Sequence, residues 1–123
     1  MKLLTKELLG QIPPLNDQDT NPDPMVVCKF FMPDGNWTWY VIEGSTRERD
    51  GCGWGVNCNH KALTEYDPGR DDVLFFGLVD GLERETGFFT LSELQAIRGA
   101  LGLPIERDRY FTPCTLSEIR ARR

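Results

Sequence analysis

Apolar positions along this chain change period several times, and each change marks a structural element. Near the start, Leu4, Leu8 and Leu9 recur at helical spacing behind Thr5, whose hydroxyl suits a helix N-cap. The spacing predicts a short helix running to about Ile12, ended by Pro13 and Pro14. Residues 16–24 have no apolar period and contain two prolines, so they read as a connecting loop. Residues 25–32 and 37–43 are rich in β-favouring side chains, and the turn formers Pro33-Asp34-Gly35-Asn36 between them predict a β-hairpin. Alternation assigns Trp37, Trp39 and Val41 to one face and Thr38, Tyr40 and Ile42 to the other. Large apolar groups on both faces predict a central hairpin covered on both sides.

Residues 44–72 lose all periodicity and are rich in Gly, Asn, Asp and Arg. They read as a long irregular insertion, and loops of that length in compact domains usually carry function or motion. Strand character returns over residues 73–79 and again around Gly87-Phe88-Phe89, separated by a polar turn. Thr90-Leu91-Ser92-Glu93 has the spacing of a capping box, in which the threonine hydroxyl and the glutamate carboxylate satisfy each other's backbone amides. It opens a helix whose expected buried stripe is Leu94, Ile97 and Leu101, stopped by Gly99, Gly102 and Pro104. The same letters at Thr115-Leu116-Ser117-Glu118 open a last short helix. The expected fold is thus α+β: one domain over residues 1–123, with a four-stranded antiparallel meander and two to three packed helices.

Length and composition fit that picture. The 123 residues are 40% hydrophobic and 27% charged, with thirteen aromatic side chains, enough to build a core without disulfides. No signal-peptide core or membrane-length apolar run is present, so a cytoplasmic protein is expected, with its four cysteines as thiols or metal ligands. The net charge of −5 is unevenly spread. Residues 1–97 hold sixteen acids against eight Lys and Arg, whereas residues 98–123 hold six Arg against three acids. An acidic body disfavours general binding to phosphate backbones. The tail with Arg120, Arg122 and Arg123 is the exception, and could contact nucleic acid or an acidic partner.

Together, Trp37-Thr38-Trp39-Tyr40, the run from Phe75 to Glu83, the run from Gly87 to Leu94 and Arg98-Gly99-Ala100-Leu101-Gly102-Leu103-Pro104-Ile105-Glu106-Arg107-Asp108 form a pattern. The chain resembles a family of small bacterial proteins classed only as a domain of unknown function and met on plasmids, integrative elements and phages. The resemblance covers nearly the whole chain apart from residues 44–70, where family members are shorter and lack the cysteines. It implies a mobile-element setting and no transferable catalytic residues.

Several side chains are candidates for chemistry. Cys52, Cys58 and His60 lie within nine residues in a glycine-rich loop, and thiolate and imidazole donors suit zinc, with Cys28, Cys114 or Asp67 as a fourth ligand. The spacing lacks the usual Cys-x2-Cys, so free thiols, or a Cys52–Cys58 disulfide on oxidation, are the plainer readings. A thiol nucleophile with His60 as base would lack an oxyanion hole and an orienting group. Gly51-Cys52-Gly53-Trp54-Gly55 lacks the Lys-Ser/Thr of a phosphate loop, leaving Trp54 either as an interface anchor or folded onto the sheet. Asp67, Asp71, Asp72, Asp80, Glu83 and Glu85 read as a solvated acidic rim able to face a basic protein.

The expected function is therefore non-enzymatic: a small acidic interaction protein that binds and modulates a host protein, in its sharpest form by inhibiting a nucleic-acid-targeting defence complex. The alternative is a nucleic-acid-associated accessory protein using the Arg-rich C-terminus and a zinc-clipped loop.

Overall fold

The computed structural model describes residues 3–18, 20–48 and 61–122. Helix α1 spans Lys6–Gln11, and the Thr5 hydroxyl accepts the Leu8 amide at 3.3 Å, as the N-cap reading requires. Strands β1 (Met25–Val26), β2 (Cys28–Phe31), β3 (Thr38–Glu48), β4 (Asp71–Asp80) and β5 (Arg84–Thr90) follow, with a 3-10 turn at Leu63–Glu65 before β4. The chain ends through α2 (Leu91–Ala96), β6 (Glu106–Arg107), β7 (Cys114–Thr115) and α3 (Leu116–Ala121).

The architecture is mixed α and β. The expected meander is present as β2 to β5, but the sheet has five antiparallel strands, in the order β5-β4-β3-β2-β6, and β1 pairs separately with β7. The four-strand count falls short because β6 and β7 are two residues each, too short to show an alternation. Residues 25–32 are likewise two strands rather than one. The chain leaves the β1–β7 ribbon at Val27, whose amide donates to the Val41 carbonyl at 2.9 Å.

Apolar groups cover both faces of the sheet, as the hairpin pattern predicts. One cluster gathers Phe30, Trp39, Val41, Val73, Phe75 and Phe89 beneath α1, the 3-10 turn and α2. Phe75 is its hub, meeting Phe30 and Phe89 at centroid distances of 5.7 and 5.4 Å. On the opposite face Ile42 and Leu78 pack against Val26, Cys114 and Ile119 from the ribbon and α3.

The irregular segment is shorter than the predicted 44–72. Strand β3 runs on to Glu48, β4 begins at Asp71, and Lys61 makes two backbone bonds with Thr46 (3.0 and 2.7 Å). Polar side chains concealed this strand, because they are buried on hydrogen bonds rather than on apolar contacts. The Glu43 carboxylate accepts the amides of Asn16 (3.0 Å) and Gln18 (2.7 Å), Ser45 Oγ accepts that of Leu15 (3.1 Å), and Thr46 Oγ donates to the Asp72 carbonyl (2.6 Å).

Both capping motifs form, with Thr90 and Thr115 accepting the amides of Glu93 and Glu118. The Glu93 carboxylate differs from expectation, taking the Thr90 hydroxyl at 3.0 Å. Each motif is also gripped from afar. Asp72 accepts the Ser92 amide (3.1 Å) and hydroxyl (2.6 Å), and Asp23 accepts those of Ser117 (2.8 and 2.6 Å). Helix α2 stops at Ala96, so Leu94 is buried, Ile97 is half-buried and Leu101 lies 79% exposed rather than in the stripe. In the loop beyond this stop, the Asp34 carboxylate accepts the Leu101 amide at 2.7 Å. A Cβ at Gly99 would overlap that same carboxylate.

Phe75→Ala is expected to cost about 3–5 kcal/mol, since it empties the hub of the larger cluster. Phe88→Ala, at a side chain 64% exposed, is expected to cost below about 1 kcal/mol. Urea unfolding of the two variants checks the contrast.

Candidate interaction surface

The β2–β3 and β4–β5 turns lie at one end of the sheet, because Thr38 of β3 pairs with Asp80 of β4. The first closes through the Met32 amide on the Trp37 carbonyl at 2.9 Å, and the second through the Gly81 amide on the Glu83 carbonyl at 3.1 Å. Trp37 is stacked on Trp39 at 6.1 Å between centroids, and its other surroundings include the backbone at Gly81, where any Cβ would overlap the indole. Trp37 stays 37% exposed and Leu82, at the tip of the neighbouring turn, 93%. Between them is a groove of about 300 Å³ lined by Trp37, Val79, Leu82, Glu83 and Glu85. Two apolar side chains edged by two carboxylates are therefore presented to solvent. Sequence reading missed this, since alternation assigned Trp37 to the buried face with Trp39. The available signal was Leu82 standing in an otherwise polar turn.

The six carboxylates expected to form one rim are divided between two ends of β4, roughly 30 Å apart at strand rise. Glu83 and Glu85 belong to the groove just described. At the far end, Asp71 is fully buried and its Oδ2 takes the Lys61 ammonium (3.0 Å) and the Asp67 amide (2.9 Å). Burial pushes the Asp71 carboxyl up. The Asp67 amide and the Lys61 ammonium outweigh it, so the group titrates below its ordinary 3.8. Asp72 is engaged by Ser92, and Asp67, half-exposed, accepts the Gly69 amide at 2.9 Å and stands 3.9 Å from Arg70.

Arg84 organises the other flank of the turn end. Its guanidinium pairs with Asp80 (3.0 Å) and donates to the carbonyls of Arg120 (3.1 Å) and Arg122 (2.9 Å), tying the basic tail to the start of β5. The side chains of Arg120 and Arg122 are exposed.

Cys52, Trp54, Cys58 and His60 lie outside the described residues, as does Arg123. The zinc expectation therefore falls on a segment the structure does not describe. Of its three proposed fourth ligands, Cys28 and Cys114 are buried in clusters on opposite faces of the sheet. Burial pushes the Cys28 thiol up to about 12, so it is protonated at neutral pH. Among the described residues, no group of three or more His, Cys, Asp or Glu is arranged to hold a metal ion. No helix among them is long and apolar enough to cross a membrane. A second groove, of about 440 Å³ between α1 and residues 107–113, mixes Lys6, Arg107 and Arg109 with Glu7 and Asp108 and has no dominant charge.

The family model described as Protein of unknown function (DUF2958) matches residues 59–120, half of the chain. The chain belongs to the DUF2958 family. The match covers β4, β5, α2, β6, β7 and most of α3, and so includes Glu83 and Glu85, whereas Trp37 precedes it. No curated protein and no solved structure matches the chain. Membership in DUF2958 assigns no activity, so the functional reading rests on the geometry of this chain.

Asp71→Asn is expected to lower stability at pH 7 by about 1–3 kcal/mol, the scale for losing hydrogen bonds to a charged group, since Lys61 remains partly solvated. The folded-state carboxyl titrates below 3.8, so its contribution is present above that pH and is lost as pH falls through the lower folded value. The variant should accordingly show a shallower acid limb below pH 3.8 in urea titrations.

Proposed function

We propose that this DUF2958 protein is a non-enzymatic interaction module whose docking surface is the turn end carrying Trp37, Leu82, Glu83 and Glu85. The single observation that carries the reading is the groove itself: an exposed tryptophan and leucine backed by the core and edged by two carboxylates. Aromatic anchors in a polar rim are where binding energy concentrates. The carboxylates select a partner with a basic surface and speed its approach. The balance over residues 1–97, sixteen acids against eight Lys and Arg, supports the same polarity. A host protein of a nucleic-acid-targeting defence complex is the sharpest version, because a surface built to hold phosphate would accept such a face. That version also draws on the resemblance to proteins of mobile elements.

The test is a tagged pull-down from host extract with nuclease treatment, read by mass spectrometry, using the parent chain and a Trp37→Ala, Glu83→Lys, Glu85→Lys variant. A stoichiometric protein that survives nuclease and is lost from the variant, by at least about 2 kcal/mol of affinity, is the expected result. Signal that vanishes with nuclease and with deletion of Arg120 and Arg122 would move the assignment to the basic tail and nucleic acid.

A further inference from the structure

The two edges of the main sheet differ. At one side β6 is only two residues long and is followed directly by Asp108, whose amide donates to the Lys29 carbonyl at 2.9 Å, so β2 is covered there and the edge strand itself is short. At the other side β5 is seven residues long, and among the described residues its one neighbour is β4. Proteins ordinarily guard such an edge with lysine, proline, a bulge or a covering element. Strand β5 carries charge only at its start, on Arg84 and Glu85; its remaining five residues, 86–90, have no charge and no proline, the register is regular from Asp80↔Arg84 to Leu74↔Thr90, and Phe88 is 64% exposed. The row of main-chain donors and acceptors on its outer side is a template for another strand.

The two faces of that edge have different chemistry. Glu85 pairs with Val79 and stands on the side of the Trp37 groove. Phe88 is on the opposite side, over Phe76 at 5.1 Å, and so is Arg84, anchored to Asp80 and the end of α3. A strand added alongside would place alternate side chains on these two faces. A basic residue fits beside Glu85, whereas the Phe88 side favours an apolar residue and disfavours a cation near Arg84. An antiparallel second copy of β5 offers Glu85 no cation, because its Arg84 would stand on the Phe88 side.

We propose, building on the interaction reading, that the partner contributes an extended segment of alternating basic and apolar residues that joins the sheet at β5. Main-chain pairing then supplies affinity, and Glu85 and Phe88 read the two side-chain rows.

The test uses the full chain with two seven-residue peptides, Lys-Val-Lys-Val-Lys-Val-Lys and its counterpart with Glu for Lys, read by amide hydrogen exchange over Arg84–Thr90. Neighbouring residues in a strand direct their amides to opposite edges. One of Thr86→Pro and Gly87→Pro therefore removes an outward donor and leaves the β4 ladder whole, and circular dichroism identifies which variant stays folded. The lysine peptide should slow exchange at least about tenfold relative to the glutamate peptide, and the folded proline variant should abolish that protection. Equal effects of both peptides, or protection that persists in the folded proline variant, would overturn the proposal. So would protection in the chain alone that grows with protein concentration, which would assign the edge to a second copy. No protection by either peptide, while the Trp37/Glu83/Glu85 variant still loses its captured partner, would sink strand addition and leave the docking surface standing. If that variant also retains its partner, the interaction reading fails as well.

Discussion

The antiparallel pairing of β3 with β4 is the constraint on which the rest of this structure depends. It runs through ten residue pairs from Thr38↔Asp80 to Glu48↔Asp71, with one slip between Val41 and Glu43. That extra residue, Ile42, is a bulge that shifts the alternation of β3 by one position. Before it, Trp39 and Val41 face the α1 and α2 side. After it, Gly44 and Thr46 do so, and Glu43 and Ser45 turn to the other face. The chain from Leu15 to Gln18 lies against exactly those polar groups and leads into β1. One inserted residue thus gives β3 an apolar half and a hydrogen-bonding half.

The legible parts of the fold were those whose cause is local. Alternating aromatics, a four-residue turn and two Thr-x-x-Glu spacings exposed the meander and the starts of α2 and α3 without reference to anything distant. What stayed hidden depends on partners far along the chain. The loop after α2 is held by Asp34, more than sixty residues before Leu101. The polar end of β3 is satisfied by amides of residues 15–18 and by Lys61 and Asp72, and β6 exists because Phe30 and Phe31 offer it an edge. The candidate site was legible in half. Its carboxylates were found, but not that Trp37 emerges beside them.

The division of the acids shows why charge counted along a sequence is not charge on a surface. A carboxylate removed from water must be hydrogen-bonded or paired. Asp71 is held by Lys61 and a backbone amide, Asp72 and Asp23 by serines that open helices, and Asp34 by a loop amide. These carboxylates fasten one element to another and have limited capacity left for a partner. Among the described residues, Glu83 and Glu85 fasten no such contact and stand exposed, so at the turn end of the molecule their charge faces solvent beside the Trp37 groove.

That end is also held in place, which matters for how tightly it could bind. Association is weakened by every side chain and loop that must be ordered in the act. Trp37 is already stacked on Trp39 of the core and set against Gly81, so its indole has little rotamer freedom left to lose. Asp34 locks the 99–103 loop beside the first turn, and Arg84 fastens the second turn to the end of α3. The groove is therefore preorganised by the same contacts that complete the fold. Its neighbour, the edge of β5, is fixed along its full length by β4, so a strand arriving there would order itself and leave the sheet unchanged.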